Sequence, residues 1–256
     1  MITTVKLGGP IQSSPPFLFF GLGSCFVQNL AAPLDKINIP YLFNPLGTSF
    51  NPISIARQLE WLLDPKATFN PAYFHSGVYH QLDAANKFQS INEAALNQSI
   101  ENIRRDTLNH LNSTVNPTLI ISLGTAYSWE INDVVVNNCH KLPQHLFQRR
   151  ILTIEEIESA WDTVLRLIPV GWKIIFTVSP VKYTKLGLEE NFISKSILRL
   201  SIKSFIENYS NSYYFPSFEI ITDELRDYSF YKENGTHPNE AAVEVVFDRF
   251  RSFLNF

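Results

Sequence analysis

Short apolar runs alternate along the chain with longer segments in which apolar residues recur every three or four positions. The apolar runs predict five buried strands, at Phe17–Phe20, Lys36–Phe43, Thr118–Leu123, Lys173–Pro180 and Ser212–Ile221. The longer segments predict helices after each of the first two strands, over residues 91–112, Thr153–Leu167 and Leu188–Tyr209, and at the C-terminus. This alternation predicts an α/β fold, a flavodoxin-like three-layer sandwich in which a mostly parallel five-stranded sheet is covered by helices on both faces.

Two stretches depart from this alternation. Residues 64–90 lack clear periodicity and are predicted to form an insertion over one end of the sheet. Residues 127–143 begin with a predicted hairpin whose tip is Asn132-Asp133. No linker, internal repeat or low-complexity segment divides the chain, so residues 1–256 are expected to form a single domain.

Composition and charge exclude one large class of function. Hydrophobic residues make up 45% of the 256 residues, which is ample material for a core, and the net charge is −3. The longest basic runs are only two residues long, Arg104-Arg105 and Arg149-Arg150. Nucleic-acid binding needs a basic face, so no nucleic-acid partner is predicted.

The chain also lacks signals for membranes and for secretion. No stretch approaches the ~20 apolar residues that span a bilayer, and no membrane insertion is predicted. The N-terminus has no basic segment followed by an apolar one, as a signal peptide would. Two cysteines, Cys25 and Cys139, make no disulfide framework, so a reducing cytoplasm is the expected location.

The most informative stretch is the first strand together with the turn and helix after it. Gly21 and Gly23 interrupt the apolar run, Ser24 and Cys25 come next, and apolar residues then recur at helical spacing. A strand, a tight glycine turn, a nucleophile and a helix are how many α/β enzymes hold a reactive side chain. The first N–H groups of such a helix can stabilise a developing negative charge.

A candidate base lies far away in sequence, before the last predicted helix. His237 comes directly after Asn234-Gly235-Thr236, and the group that orients a catalytic histidine often lies three residues before it. In a parallel sheet the strands' carboxyl ends meet at one edge, so Ser24 or Cys25 is expected to meet His237 there. Such a pair predicts nucleophilic acyl transfer.

Several ordered motifs resemble one known family. They are Gly23-Ser24-Cys25-Phe26-Val27, Asn44-Pro45-Leu46-Gly47, Leu123-Gly124-Thr125-Ala126, Asn138-Cys139-His140-Lys141, Tyr214-Phe215-Pro216-Ser217 and His237-Pro238. Together they resemble the GSCFA family, which is grouped with the SGNH (GDSL-like) hydrolases. The resemblance implies an SGNH-like fold and esterase or deacylase chemistry without a cofactor. Its implied substrate is a small-molecule or glycan acyl ester, and the oligomeric state stays open.

The resemblance leaves the nucleophile open. Aligned by its glycine, the Gly-Asp-Ser block of SGNH enzymes puts Cys25 at the nucleophile position, whereas aligned by residue type it selects Ser24. Successive residues at a strand end point in opposite directions, so only one of the two is expected to face the site. Superfamily precedent slightly favours Ser24.

The other family blocks imply the remaining site residues. Gly47 matches the glycine whose N–H joins the oxyanion hole. The asparagine of the third block has no counterpart in Gly124-Thr125, so its place would fall to Asn51 or Asn138. Other candidates for the pocket are Gly124, Thr125, His140, His75 and Ser76. Lys195, by contrast, is interpreted as a solvated or salt-bridged side chain.

The last block departs from the family pattern, because Asn234 stands where an aspartate is expected. Three interpretations are open: Cys25 works with His237 and Asn234, another acid such as Glu233 or Asp227 substitutes, or the protein is slow or non-catalytic. A non-catalytic ligand-binding module on the same fold is therefore an alternative function. A metal site built from Cys25, Cys139, His140 and His237 is a weaker one, because their spacing matches no zinc pattern.

Overall fold

The computed structural model of the protein describes residues 3–8, 11, 18–114 and 116–256. The strands are β1 Phe19–Gly23, β2 Tyr41–Phe43, β3 Tyr73–His75, β4 Val78–His80, β5 Gln89–Ser90, β6 Thr118–Leu123, β7 Tyr127–Ile131, β8 Val134–Val136, β9 Gln148–Ile151, β10 Lys173–Val178 and β11 Ser212–Tyr214. The helices are α1 Cys25–Asn29, α2 Ala31–Lys36, α3 Pro52–Leu63, α4 Glu93–Asn112, α5 Ile154–Leu167, α6 Leu188–Asn208, α7 Ser217–Glu219 and α8 Glu240–Leu254.

The central sheet has five strands in the order β2-β1-β6-β10-β11, and every neighbouring pair is parallel. In chain order this is 2-1-3-4-5, the flavodoxin-like arrangement, so the predicted fold class is confirmed. The three central strands are buried along almost their whole length. Strand β1 therefore ends in the middle of the sheet, where the direction of strand order reverses and ligand sites form.

Each face of the sheet carries its own apolar layer, because successive side chains of a strand point to opposite sides. Phe20 and Ile121 pack in a layer with α3, α5 and α6. Phe19 and Ile120 pack in the other layer, with α1, α2 and α8. Helix α3 begins with Asn51 as its N-cap and proline at the first helical position, both of which are common at helix starts.

The predicted strand boundaries need correction at β1, in the middle of the sheet, and at β11, on its edge. Phe17 lies outside the described residues, and β1 continues through Gly21 to Gly23. The prediction of a strand over Ser212–Ile221 is wrong beyond Tyr214, because helical turns begin at Ser217. Pro216 has no N–H for a sheet ladder, and Ile220 and Ile221 are buried in a helical conformation instead.

The two irregular stretches form small antiparallel sheets of their own. Strands β3, β4 and β5 make one sheet within residues 64–90, and the buried Asp83 ties this segment to Arg57 of α3. Strands β7 and β8 form a hairpin, with Asn132 and Asp133 between them. Strand β9, which the apolar pattern did not predict, pairs with the other edge of β7.

Candidate active site

A cavity of about 340 Å³ opens at the carboxyl ends of β1, β6 and β10. Ser24 and Cys25 reach it from the end of β1, Gly124 and Thr125 from the end of β6, and Ser179 from the end of β10. Residues of the β7–β9 sheet form one wall, and His237 enters from the loop that precedes α8. The structure thus brings both candidate nucleophiles and the candidate base to a single cavity.

The turn after β1 depends on the glycine at its centre. Gly23 has φ +127°, and a Cβ atom there would lie 2.1 Å from the carbonyl oxygen of Ser122. Its N–H donates to Asn44 Oδ1 at 2.9 Å, while its carbonyl accepts from the N–H of Ser49. This close approach of β1 to β6 turns the chain out of the sheet and into α1.

Ser24 is almost completely buried, with 1% of its surface exposed. Its Oγ caps α1 by accepting from the N–H of Phe26 at 3.2 Å, and it lies 2.8 Å from Ser122 Oγ. Its own N–H donates to the Ser122 carbonyl. The Ser24 hydroxyl is therefore used in holding the turn together.

Cys25 is the first residue of α1 and is half-buried, with a free thiol. Burial raises the pKa of this thiol, while a hydrogen bond from its own N–H and the charges of Lys195 and Lys232 act to lower it. The backbone N–H groups in the first turn of a helix have no intrahelical partners. The thiol and the N–H of Cys25 lie together at the cavity.

The structure corrects the interpretation of Lys195 as a solvated or salt-bridged side chain. It projects from α6 with only 3% of its surface exposed, and within the described residues it pairs with no carboxylate. Its Nζ donates to the carbonyls of Gly124 at 2.6 Å and Ser179 at 2.8 Å. Burial lowers the pKa of this amine to about 7. The amine thus joins the ends of β6 and β10 beneath the cavity.

The hydrogen bonds around His237 define how Asn234 meets the imidazole. Asn234 Oδ1 accepts from the backbone N–H groups of Thr236 at 2.9 Å and His237 at 3.1 Å. These bonds turn Asn234 Nδ2 toward His237 Nδ1, at 3.1 Å. Because Nδ2 is a donor, it favours an Nδ1 without a proton, whereas a histidine that acts as a base through Nε2 carries its proton on Nδ1.

Thr236 offers the alternative partner for the same nitrogen. Its Oγ1 lies 2.9 Å from His237 Nδ1 and donates to Asn234 Oδ1 at 3.0 Å. An Nδ1–H group can therefore donate to the Thr236 hydroxyl and leave Nε2 free to accept a proton. Neither Glu233 nor Asp227 hydrogen-bonds to His237 in the described parts of the chain, and Asp227 instead accepts from the N–H of Ser229.

Four of the predicted pocket residues line the cavity, but most of their polar groups are already bonded. Asn51 donates to Ser54 Oγ and to the Val136 carbonyl. The N–H groups of Gly124 and Thr125 both donate to the Phe50 carbonyl. Asn138 differs, because its Oδ1 accepts from the N–H of His140 while its Nδ2 has no partner among the described residues. Asn138 Nδ2 is therefore the available side-chain donor of the four.

Three other predicted residues lie outside the cavity. The Gly47 N–H donates to the Asn44 carbonyl at 2.7 Å, closing a turn with φ +81°, so it is not available to an oxyanion. This bond is at odds with the oxyanion role that the resemblance implied. His75 and Ser76 form the tip of the β3–β4 hairpin, where Ser76 and Gly77 both have positive φ.

His140 is a buried anchor rather than a pocket residue. Only 4% of its surface is exposed, and its Nε2 lies 2.9 Å from the Ala84 carbonyl, to which it donates. Its Nδ1 is buried without a hydrogen-bond partner. Burial lowers the pKa of His140 to about 4, with a further lowering from the nearby His80, so the ring is neutral at pH 7.

This anchor predicts a specific dependence of stability on pH. His140 binds its proton in the unfolded chain near pH 6.5 but in the folded protein only near pH 4, so the free energy of unfolding should rise with pH across that window. Replacing His140 with glutamine, which can still donate to Ala84, should flatten the rise by about 3 kcal/mol. Urea titrations of the wild type and the variant at pH 4.5 and 7 measure this change in the free energy of unfolding. The exposed His110→Gln variant should keep the wild-type slope, and an unchanged slope in His140→Gln would contradict the assignment.

The sequence reasoning missed the residues that give the cavity its walls and its charge. They are Phe50, Tyr127, Trp129, Asn137, Arg149, Ser179, Val181, Lys182, Tyr183 and Lys185. Position after a strand could have indicated Ser179. No pattern in the sequence marked the aromatic residues of β7 as part of a cavity wall. Arg149 could not be placed at all, because β9 itself was not predicted.

Neither a metal cluster nor a membrane span is found in the described part of the chain. In residues 3–8, 11, 18–114 and 116–256, no group of three or more His, Cys, Asp or Glu side chains is placed to hold a metal ion. The suggested metal site from Cys25, Cys139, His140 and His237 is therefore not assembled there. Within the same ranges, no helix is long and apolar enough to cross a bilayer.

The 2-1-3-4-5 sheet and its carboxyl-end cavity define an α/β protein of the flavodoxin-like fold class. The chain belongs to the GSCFA family, whose sequence model matches residues 18–250, and this confirms the resemblance seen in its motifs.

Two solved structures resemble the protein over most of its length, at low sequence identity. A carbohydrate esterase family 3 protein from Talaromyces cellulolyticus is 8% identical, with a TM-score of 0.43 over 91% of this chain and 94% of its own. A family 3 carbohydrate esterase from Clostridium thermocellum is 12% identical, with a TM-score of 0.40 over 91% and 92%. No curated protein matches the sequence.

Proposed function

We propose that the protein hydrolyses small acyl esters, with Cys25 as the nucleophile and His237 as the base. The observation that carries this proposal is the contrast between neighbours at the end of β1. Both residues line the cavity with His237, but Ser24 Oγ is buried and bonded within the turn, whereas the half-buried Cys25 thiol is free. Cys25 is also the position that the family's glycine alignment selects.

The proposed reaction has two steps. His237 Nε2 takes the thiol proton as sulfur attacks the ester carbonyl carbon, and the same proton then passes to the departing alkoxide. Water, activated by His237, next hydrolyses the thioester and releases the acid. The N–H of Cys25 and Asn138 Nδ2 are the donors proposed for the oxyanion, because the N–H of Cys25 meets only its own thiol and Asn138 Nδ2 has no acceptor among the described residues.

Competitive labelling with iodoacetamide and a fluorophosphonate tests this proposal, with the labelled peptides read by mass. We expect Cys25 to be alkylated much faster than Cys139, a half-buried thiol whose pKa is raised to about 11 by desolvation and which serves as the reference within the same molecule. His237→Ala should slow alkylation of Cys25 at pH 7 about tenfold or more and leave Cys139 unchanged.

The same experiment distinguishes the two nucleophiles. A fluorophosphonate adduct on Ser24 that disappears in His237→Ala would overturn the assignment to Cys25 and indicate a serine hydrolase. Ester hydrolysis that survives in Cys25→Ala would do the same. Ser24→Ala is the matched control, and it should keep the preferential labelling of Cys25 provided that the protein remains folded.

A non-catalytic binding module is the second candidate function. The observation that favours it is the orientation of Asn234, whose Nδ2 faces His237 Nδ1 and so supports the tautomer that is unsuited to a base. On this alternative, neither Ser24 nor Cys25 would label preferentially, and no ester would be turned over.

A further inference from the structure

The candidate cavity carries a concentrated positive charge in a protein whose net charge is −3. Arg149, Lys182 and Lys185 line it, and no aspartate or glutamate is among the described residues that do. The buried Lys195 lies directly beneath, bonded to two carbonyls of the cavity floor. A low-dielectric cleft lined by charges of one sign concentrates ligands of the opposite sign.

The charges of the three lining side chains are not neutralised by ion pairs. Within the described residues, none of the three lies in a salt bridge. Lys182 Nζ lies 4.2 Å from the centre of the Tyr231 ring, and the backbone N–H of Lys182 donates to the Thr236 carbonyl next to His237. A nearby carboxylate, Glu190, is bonded to the Tyr127 hydroxyl and does not line the cavity.

Arg149 is held in a way that leaves part of its guanidinium available. The group lies over the rings of Trp129, at 5.3 Å, and Tyr127, at 5.9 Å. One nitrogen donates to the Tyr183 hydroxyl at 3.2 Å. The aromatic contacts fix the plane of the group, while its remaining N–H donors have no acceptor in the described chain. A planar fork of this kind matches a carboxylate.

Arg150, the next residue of β9, has a structural role and serves as a comparison for Arg149. Arg150 points to the other side and bonds Glu130 at 2.7 Å and Glu156 at 2.7 Å. Its charge is therefore used in joining β7, β9 and α5. Arg149 has aromatic partners in place of carboxylates, so its charge remains available to an anionic ligand.

We propose that this cavity takes an ester that carries a carboxylate group, with Arg149 as its main partner and Lys185 as a second unpaired charge. The inference rests on the proposed function for the ester, whereas the carboxylate part rests only on the charges and aromatic walls. Tyr127, Trp129 and Tyr183 provide flat apolar surfaces beside Arg149, which suit a planar acyl or aryl group.

A matched pair of substrates tests this inference: 4-acetoxybenzoate, which is anionic at pH 7, and its neutral methyl ester. The methyl ester has the more acidic leaving phenol, so intrinsic reactivity favours the neutral compound. We expect kcat/KM to favour the anion by about tenfold in the wild type, and this preference to disappear in Arg149→Gln. Arg149→Lys should retain part of it. Lys203→Gln, which removes a positive charge that pairs with Glu207 on α6, should keep the full preference.

Calorimetry with the two phenol products separates this inference from the proposed function. In Cys25→Ala, 4-hydroxybenzoate should bind at least tenfold more tightly than methyl 4-hydroxybenzoate, and only the anion should lose affinity in Arg149→Gln. Equal affinities for the two phenols in the protein that keeps Arg149, or a preference for the anion that survives in Arg149→Gln, would overturn the inference. If the anion binds preferentially but neither ester is turned over, the inference of a carboxylate-binding cavity is supported and the proposed ester hydrolysis is refuted.

Discussion

Asn234→Asp is expected to increase ester turnover by about tenfold to a hundredfold. In the wild type, Asn234 Nδ2 lies 3.1 Å from His237 Nδ1 and presents a donor to it. A carboxylate at this position keeps its bonds to the N–H groups of Thr236 and His237, and its second oxygen accepts a hydrogen bond from the Nδ1–H group. That bond leaves Nε2 free to take a proton and stabilises the imidazolium that forms. The reverse change in serine triads costs about 10⁴ in turnover.

The matched control for this prediction adds the same charge nearby. Asn239→Asp places a carboxylate at the N-cap of α8, where it still accepts from the N–H of Ala242 but loses the bond that Asn239 Nδ2 donates to the Ser229 carbonyl, so its folding is checked first by circular dichroism. It should leave turnover within about twofold of the wild type, since it does not meet the imidazole. Initial rates on an aryl acetate at pH 7, with alkylation rates of Cys25 alongside, measure both variants. Equal rates for Asn234→Asp and the wild type would show that His237 is not oriented through residue 234.

Gly23→Ala is expected to prevent folding, or to lower the free energy of unfolding by about 4 kcal/mol or more. The added Cβ would stand 2.1 Å from the Ser122 carbonyl oxygen, which is backbone of the neighbouring central strand and cannot rotate away. The φ of +127° adds strain for any residue with a side chain. Moving β1 away from β6 would also break the Ser24 N–H bond to Ser122.

Gly77→Ala separates the clash from the strain. Gly77 also has a positive φ, +83°, but a Cβ there meets nothing within 4 Å. This variant should lose only the conformational cost, about 1–2 kcal/mol. Circular dichroism followed by urea unfolding compares the two. A Gly23→Ala protein that unfolds at the same urea concentration as Gly77→Ala would refute the argument from close approach.

Elements formed by local interactions could be predicted from the sequence. The Asn51 cap, the Thr153–Glu156 capping box and the five strands each depend on residues within a few positions of one another. The fold class could then be inferred, because an alternation of strands and helices has few parallel arrangements. There were two exceptions. The second strand begins only at Tyr41, because Lys36 still belongs to α2, and in the last strand Pro216 and the turn after it overrode an apolar run.

The candidate site could be predicted only as a set of residue types near strand ends. Ser24 and Cys25 are equivalent in the sequence, and they differ because Ser122, 98 residues away, bonds the Ser24 hydroxyl. Lys195 resembles a surface lysine in the sequence, but in the fold its amine donates a hydrogen bond to the carbonyl of Gly124, 71 residues away. Gly47 matches a family block, yet a bond within its own turn uses its N–H.

The sequence by itself determined the family through its motifs and the parallel sheet through its hydrophobic periodicity. Because the carboxyl ends of parallel strands meet at one edge, it also predicted that Ser24, Cys25 and His237 lie near one another. The tertiary structure alone decided which side chains remain free for chemistry. A hydrogen bond between residues distant in sequence leaves no local pattern, and each such bond withdraws one donor or acceptor from the cavity. Among the described residues, the groups that stay unpaired there include the Cys25 thiol, Asn138 Nδ2, the Lys185 amine and part of the Arg149 guanidinium.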